Sequence, residues 1–424
     1  MMWIFFDGVS GMITLSKENI TDYLKEKMPD LDFSRPLIIS AIGEGTEEED
    51  GDGYINFVFR VSDGKRKLIL KQGRSDGRIA GFKDMSLERT SMEYNYMKIG
   101  RVIVPEYLPE LYFYDDENLV FAVEDVSYLK ISRFQLNKSA IFPKLAQQAA
   151  EYLAKMHFYT SDYYLDTEVF RRLQNRFMNH KMRRFFDDQT FVNREYGDTD
   201  AHGFELDPVF AADIRNLVFD PQVILERHKL RDLYMRKAEV LLHADFHTSN
   251  IFVDKEQMKV IDMEYTFFGP AAYDLGYLQS HLLSQCVCGV FRPYDTPQER
   301  IDFVSYILAT MQQIFSEYCR VFFECWNADA KPIYQGVPGM QEYVQKQLLQ
   351  DMIGFCANSH IFRCAADIGY PEYDDLADKD AIRNAKLLSL QMDHRMILRR
   401  TEYPDAQSWI VDMMALINEF LEKQ

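Results

Sequence analysis

Basic charge is what this chain has too little of. Its 48 Lys and Arg stand against 66 Asp and Glu, a formal net charge of −18. Such a surface repels nucleic acid and anionic lipid, so neither is expected as a principal partner. Glycine (20) and proline (14) are sparse in 424 residues, and 47% of the chain is hydrophobic, which argues against disorder. Only six cysteines occur, from Cys286 to Cys364, and none forms a CxxC pair. That excludes a zinc ribbon and a secreted disulfide scaffold, and leaves reduced core thiols as the expectation. No apolar run reaches the roughly 18 residues of a membrane span. The opening "MMWIFF" carries no basic leader and meets Asp7 too early for a signal peptide. A cytoplasmic protein without a membrane anchor is expected.

What is present divides the chain in two. The runs "INFVFRV" and "KLILKQ" flank "SDGK", where Asp63-Gly64 suits a tight hairpin turn. The loop "EGTEEEDGDGY" precedes them, rich in glycine and carboxylates. "SLERTSMEYNYMK" follows as a helix with Ser86 as N-cap, then the strand-like "LPELYFYDD" and "LVFAVED". From about Asn137 the pattern turns helical: Leu145, Ala149, Leu153 and Met156 share one face, and beyond Phe268 nearly every segment has helical periodicity. The expected fold is α+β and bilobal. A small antiparallel-sheet lobe with one helix (1–126) precedes a larger, mostly helical lobe (127–424).

The stretch "LLHADFHTSNIFVDKEQMKVIDMEYTFF" gathers the chemistry. His243-x-Asp245, with Asn250 five residues beyond the Asp, matches the catalytic loop of kinases. There an Asp accepts the proton of the attacking hydroxyl and an Asn helps hold Mg²⁺. A short strand "MKVID" brings a second carboxylate, Asp262, to the metal, since Mg²⁺ takes hard oxygen ligands together with nucleotide phosphates. Glu264 falls on the same side if that strand continues with period two. The same logic asks for a lysine on the third strand of the small lobe, paired with a glutamate on the next helix. Lys71 ends "KLILK", and Glu93, with Glu88 as the alternative, lies on that helix. "VFAVEDV" is the expected connection between lobes, where backbone groups near Glu124 and Val126 can read an adenine edge. The backbone at Asp52-Gly53 stands where phosphates would be covered. His243 braces the loop, Asp274 accepts its backbone N–H groups or caps the following helix, and His247 touches substrate. The basic "RRLQNRFMNHKMRRFF" (171–186) reads as a solvated helix face or a subunit contact.

At these residues the chain resembles the family that includes choline kinases, aminoglycoside phosphotransferases and methylthioribose kinases. "HADFHTSNIFV" with "VIDMEYTFFGPAAYDLG" looks most like the methylthioribose kinases, and "VEDVS", "HFYTSD" and "NFVFRV…LILKQ" resemble other segments of them. The resemblance spans roughly residues 35–400. It implies transfer of phosphate from ATP, with Mg²⁺, to the 1-hydroxyl of 5-methylthioribose in methionine salvage, by a homodimer. Three departures stand out: Ala244 where that family has Gly, Asn250 where it usually has Ser, and Phe362-Arg363 where it has two adjacent arginines beside the sugar. Arg363 is thus the expected substrate contact, with Phe362 packing on an apolar 5-substituent. The alternatives are an aminoglycoside or amino-alcohol kinase of the same fold, and a nucleotide-binding regulator without turnover.

Overall fold

A computed structural model describes residues 12–43, 57–74, 86–191, 206–367 and 369–423. Five antiparallel strands form one sheet: β1 (Ile38–Ala41), β2 (Phe57–Ser62), β3 (Lys67–Gln72), β4 (Leu111–Asp115) and β5 (Val120–Glu124), in the order β1-β2-β3-β5-β4. The β2–β3 hairpin turns where expected. Gly64 takes φ +88°, and Asp63 Oδ1 accepts the amides of Lys65 (2.8 Å) and Arg66 (2.6 Å).

Period-two alternation then decides which face each β3 residue serves. Leu68 and Leu70 join Phe59, Val61, Val120 and Ala122 in a small core beneath the helix Ile20–Lys27. Ile69 and Lys71 face the other way, towards the helix Glu88–Ile103, whose Tyr96 and Met97 belong to the main core with Phe121 and Val123. Ser86 does not cap that helix. The N-cap position is Leu87, which makes no side-chain cap, and the Ser86 carbonyl instead accepts Arg89 Nη1 at 2.8 Å.

Beyond β5 the strand Lys130–Ile131 pairs with Ile251–Val253, which pairs with Met258–Val260, so residues 125–129 lead from the sheet to the His243 segment. Apart from one more short strand pair, Val240–Leu242 with Phe267–Gly269, the described remainder is mostly helical. Leu145–Thr160 packs on the long helix Pro297–Asp329, and Ala271–Phe291 packs on Met340–Ala365 and Lys379–Arg399. All of Ala271–Phe291 but Tyr277 and Phe291 is buried, so its polar side chains, Asp274 and His281 among them, are enclosed as well. All six cysteines are buried and free. No described helix is long and apolar enough to cross a membrane.

Candidate active site

Two short antiparallel pairings set the site. Val240–Leu242 pairs with Phe267–Gly269, and Ile251–Val253 with Met258–Val260, which lays loop 243–250 beside loop 261–266. The amide of Ile261 donates to the Asn250 carbonyl at 3.0 Å. His243 locks the two loops together: its Nε2–H donates to the Ile261 carbonyl (3.0 Å), while Nδ1 accepts the Asp245 amide (3.2 Å). One nitrogen donating and one accepting is the neutral imidazole. Burial pushes the His243 pKa below its ordinary value, although Asp274 and Asp245 pull the other way. Asp274, in the first turn of Ala271–Phe291, accepts the amides of His243 (2.7 Å) and Ala244 (2.8 Å). Of the two roles anticipated for it, the structure shows the loop-holding one.

Asp245 emerges from this frame 8% exposed. Asn250 Nδ2 donates to its carbonyl (2.9 Å) and to its Oδ2 (3.2 Å), and His247 Nε2 lies 3.4 Å from Oδ1. With its amide nitrogen so engaged, Asn250 presents its oxygen as the remaining donor atom.

Across from the loop, Lys71 Nζ lies 2.7 Å from Glu93 Oε2 and also touches Asp262 Oδ1. Glu93, rather than Glu88, is therefore the partner of Lys71. Burial alone would lower the Lys71 pKa, but Asp262, Glu93 and Glu264 together raise it. Asp262 is held below the ordinary carboxylate range, because the Lys71 ammonium outweighs burial. Glu93 is pushed up by burial, against the pull of Lys71.

Glu264 reaches the same place by another route than the sequence suggested. The strand ends at Val260 and Asp262 turns into the left-handed region (φ +68°), so strand alternation does not apply. The turn nevertheless brings one oxygen each of Glu93, Asp262 and Glu264 within 4.8 Å of one another. Glu264 is also engaged by Arg89, whose Nε donates to Oε2 at 3.0 Å with both side chains buried. Glu93, Asp262 and Glu264 thus gather hard oxygen donors beside Lys71 and Arg89. That donor set fits a divalent cation of the Mg²⁺ type.

The other anticipated residues are more dispersed. Glu124 closes β5, its amide donating to the Glu110 carbonyl (2.9 Å), and the Val126 carbonyl accepts the Leu129 amide (2.9 Å). Asp52 and Gly53 lie outside the described residues. Arg363 is buried in an ion pair with Glu372 (2.8 Å) and lies 4.3 Å over the Tyr370 ring, against which Phe362 packs edge-on. Its Nη1 is 3.3 Å from His281 Nε2, and His281 stacks on His247 at 4.6 Å. His281 was missed in the sequence, where "YLQSHLLSQ" carries only a helical pattern. Burial first, then Arg363, lowers its pKa well below the ordinary value, and its Nδ1 has no hydrogen-bond partner among the described residues. The basic 171–186 segment is two helices, Thr167–Arg176 and His180–Thr190. At their junction Asn179 (φ +36°) donates to the carbonyls of Glu264 (2.9 Å) and Thr266 (3.0 Å).

Known proteins resemble this chain over most of its length. The model of the phosphotransferase enzyme family matches residues 46–285. A methylthioribose kinase of Geobacillus thermodenitrificans is 30% identical over 84% of this chain and 87% of its own. That of Geobacillus kaustophilus is 29% identical over 85% and 89%. Among solved structures, a choline kinase from Cryptosporidium parvum covers 96% of this chain and 97% of its own, a distant likeness at 13% identity and a TM-score of 0.47. The chain thus belongs to the phosphotransferase enzyme family, as an ATP-dependent kinase with an alcohol acceptor.

Proposed function

We propose that this protein transfers the γ-phosphoryl group of ATP to the 1-hydroxyl of 5-methylthioribose or a related 5-substituted or 5-deoxy pentose. The observation that carries the reading is that loop 243–250, with Asp245 and Asn250, is hydrogen-bonded to the loop at Ile261, whose next residue Asp262 meets Lys71, itself paired with Glu93. Asp245 takes the proton of the acceptor hydroxyl as that oxygen attacks in line. Lys71, steadied by Glu93, holds the α- and β-phosphates, and backbone groups at Glu124 and Val126 meet the adenine. Asn250 and Asp262 are the ligands for Mg²⁺, with Glu264 beside them under the hold of Arg89. The ion, when bound, offsets charge on the phosphates. The pentose is supported by the relatives' names, both methylthioribose kinases. His247 and Arg363, with the Phe362 ring at the apolar C5 end, are assigned to the acceptor. The reading includes a division of the chain near Val126, a homodimer, and a cytoplasmic role in methionine salvage.

The test is ATP consumption against methylthioribose, 5-deoxyribose, ribose, an aminoglycoside and choline. The expected order puts the two pentoses with an apolar C5 end first. Faster turnover of the aminoglycoside or choline would replace the pentose. Asp245→Asn should lower kcat by about 10²–10⁴ while ATP affinity holds, the range general-base catalysis supplies. A variant keeping more than about a tenth of the native kcat would remove Asp245 from that role.

A further inference from the structure

A cavity of about 770 Å³ opens in the helical part of the molecule, and none of the groups assigned to the phosphoryl-transfer site lines it. It lies among Leu225–Leu233, the start of strand Val240–Leu242, the Pro297–Asp329 helix and the first half of Met340–Ala365. That volume suits a small molecule. One wall is aromatic, with Tyr163, Tyr318 and Phe322 in ring contact (Tyr163–Phe322 6.2 Å, Tyr318–Phe322 5.6 Å). Another wall is ionic and carries both signs. Lys237 pairs with Glu239 at 2.9 Å, and Asp351 sits between Lys237 (3.8 Å) and Arg400 (3.4 Å).

Both Asp351 contacts are longer than the roughly 2.7–2.9 Å of a charge-assisted hydrogen bond, so this carboxylate is only loosely satisfied although it is 6% exposed. A buried charge held loosely is costly, and an added donor would relieve it. Arg400 is already held by Glu226 (3.0 Å), so a ligand answering both walls has an ammonium for Asp351 and Glu239, a carboxylate for Lys237, and an apolar side chain for the rings.

The cavity is also wired to the catalytic loop. Tyr318, in its wall, donates its hydroxyl to His157 Nδ1 (3.0 Å), and His157 Nε2–H points to Asp274 Oδ2 (3.3 Å). Asp274 in turn holds the amides of His243 and Ala244. Each link is buried, and the donors and acceptors run consistently for one neutral tautomer of His157.

We propose that this cavity is a second ligand site, for a zwitterionic amino acid with an apolar or aromatic side chain. Its occupancy is felt at the catalytic loop through Tyr318, His157 and Asp274. The probes are L-phenylalanine and L-leucine, with phenethylamine and 3-phenylpropionate as analogues lacking one charge each. Calorimetry on the full chain should show binding of the amino acids below about 1 mM and at least about tenfold weaker binding of either analogue, a tenfold step being 1.4 kcal/mol. Asp351→Asn should weaken the amino acids by a similar factor, and Lys237→Met gives a second reading from a half-exposed position if the first variant does not fold. Amide hydrogen exchange at His243 and Ala244 should change on binding. In Tyr318→Phe it should stay unchanged while affinity remains within about threefold. This readout needs no acceptor, so it stands apart from the proposed reaction. Absence of binding, binding indifferent to both Asp351→Asn and Lys237→Met, or closure of the cavity by self-association would overturn the site. Binding with unaltered exchange would overturn the coupling.

Discussion

Ala244 (φ +67°) and Asp262 (φ +68°) hold the left-handed backbone that glycine adopts freely, and they flank the site on both loops. For an L-residue this conformation costs about 1–2 kcal/mol. At Ala244 the surroundings impose it, because the neighbouring amides of His243 and Ala244 must both reach the Asp274 carboxylate. At Asp262 it delivers the carboxylate to Lys71 instead of along the strand. Strain of this kind gathers where side-chain direction matters to chemistry. Asp262→Ala should therefore abolish turnover and remove the strengthening of ATP binding by Mg²⁺. Calorimetry with and without the ion checks this, and an unchanged magnesium dependence would take Asp262 out of the metal site. The His-x-Asp and Asn250 spacing was legible in the sequence because the groups lie close along the chain. The substitution at Ala244 was visible too, but the backbone angle that makes it unusual was not. His281, Arg89 and Asn179 were hidden for the same reason: each meets the site from a distant segment whose local pattern is only helical.

Helix against helix, Gly276 marks a close approach. A Cβ there would sit 2.8 Å from the Met352 carbonyl oxygen and 2.8 Å from the Cys356 nitrogen, both backbone atoms that cannot swing aside. Ala271–Phe291 therefore lies directly on Met340–Ala365 at Gly276, two residues after the Asp274 carboxylate that holds the amides of His243 and Ala244. Gly276→Ala should destabilise the fold by about 1–3 kcal/mol, the usual scale of overpacking. Urea unfolding reads this, and a loss below about 0.5 kcal/mol would mean that the two helices part readily. Beyond Phe268 the helical periodicity was legible because the apolar faces it marks are buried, as along Lys379–Arg399. The N-cap reading of Ser86 and the strand continuation to Glu264 did not hold, because a buried arginine and a turn, both tertiary matters, decide the geometry there.

For the molecule as a whole, pH separates two groups of buried sites. His243 and His281 are held neutral, their pKa values lowered chiefly by burial. In the unfolded chain each titrates near 6.5. Above that value their contribution to stability is fully present, and as pH falls below it the unfolded state takes up protons that the folded state refuses. Stability should then drop by up to about 1.4 kcal/mol per pH unit for each histidine. Asp115 acts lower. Burial would raise its pKa, but hydrogen bonds from Asn118, Tyr23 and Lys27 bring it down to about 2. Its contribution is present above about 3.9 and is lost towards 2. Glu93, pushed up by burial, works the other way and gains stability as pH falls. The histidine contribution is therefore read by comparing denaturant melts of the native chain and His281→Gln from pH 8 to pH 5; equal slopes below about 6.5 would contradict a neutral His281.

The six buried thiols give the molecule an internal clock. Burial pushes Cys286 and Cys319 up to about 12, and raises Cys356 and Cys364 as well, so almost none of them is thiolate at neutral pH. Since the thiolate is the reacting form, a thiol reagent reaches the fully enclosed thiols only when a helix pair swings open. Cys319 and Cys325, on the outer Pro297–Asp329 helix, retain a little exposure, whereas Cys286, Cys288, Cys356 and Cys364 are fully enclosed between Ala271–Phe291, Met340–Ala365 and their neighbours. The pace at which the chain takes up label thus measures how often its interior breathes, with the outer helix keeping a faster beat than the centre.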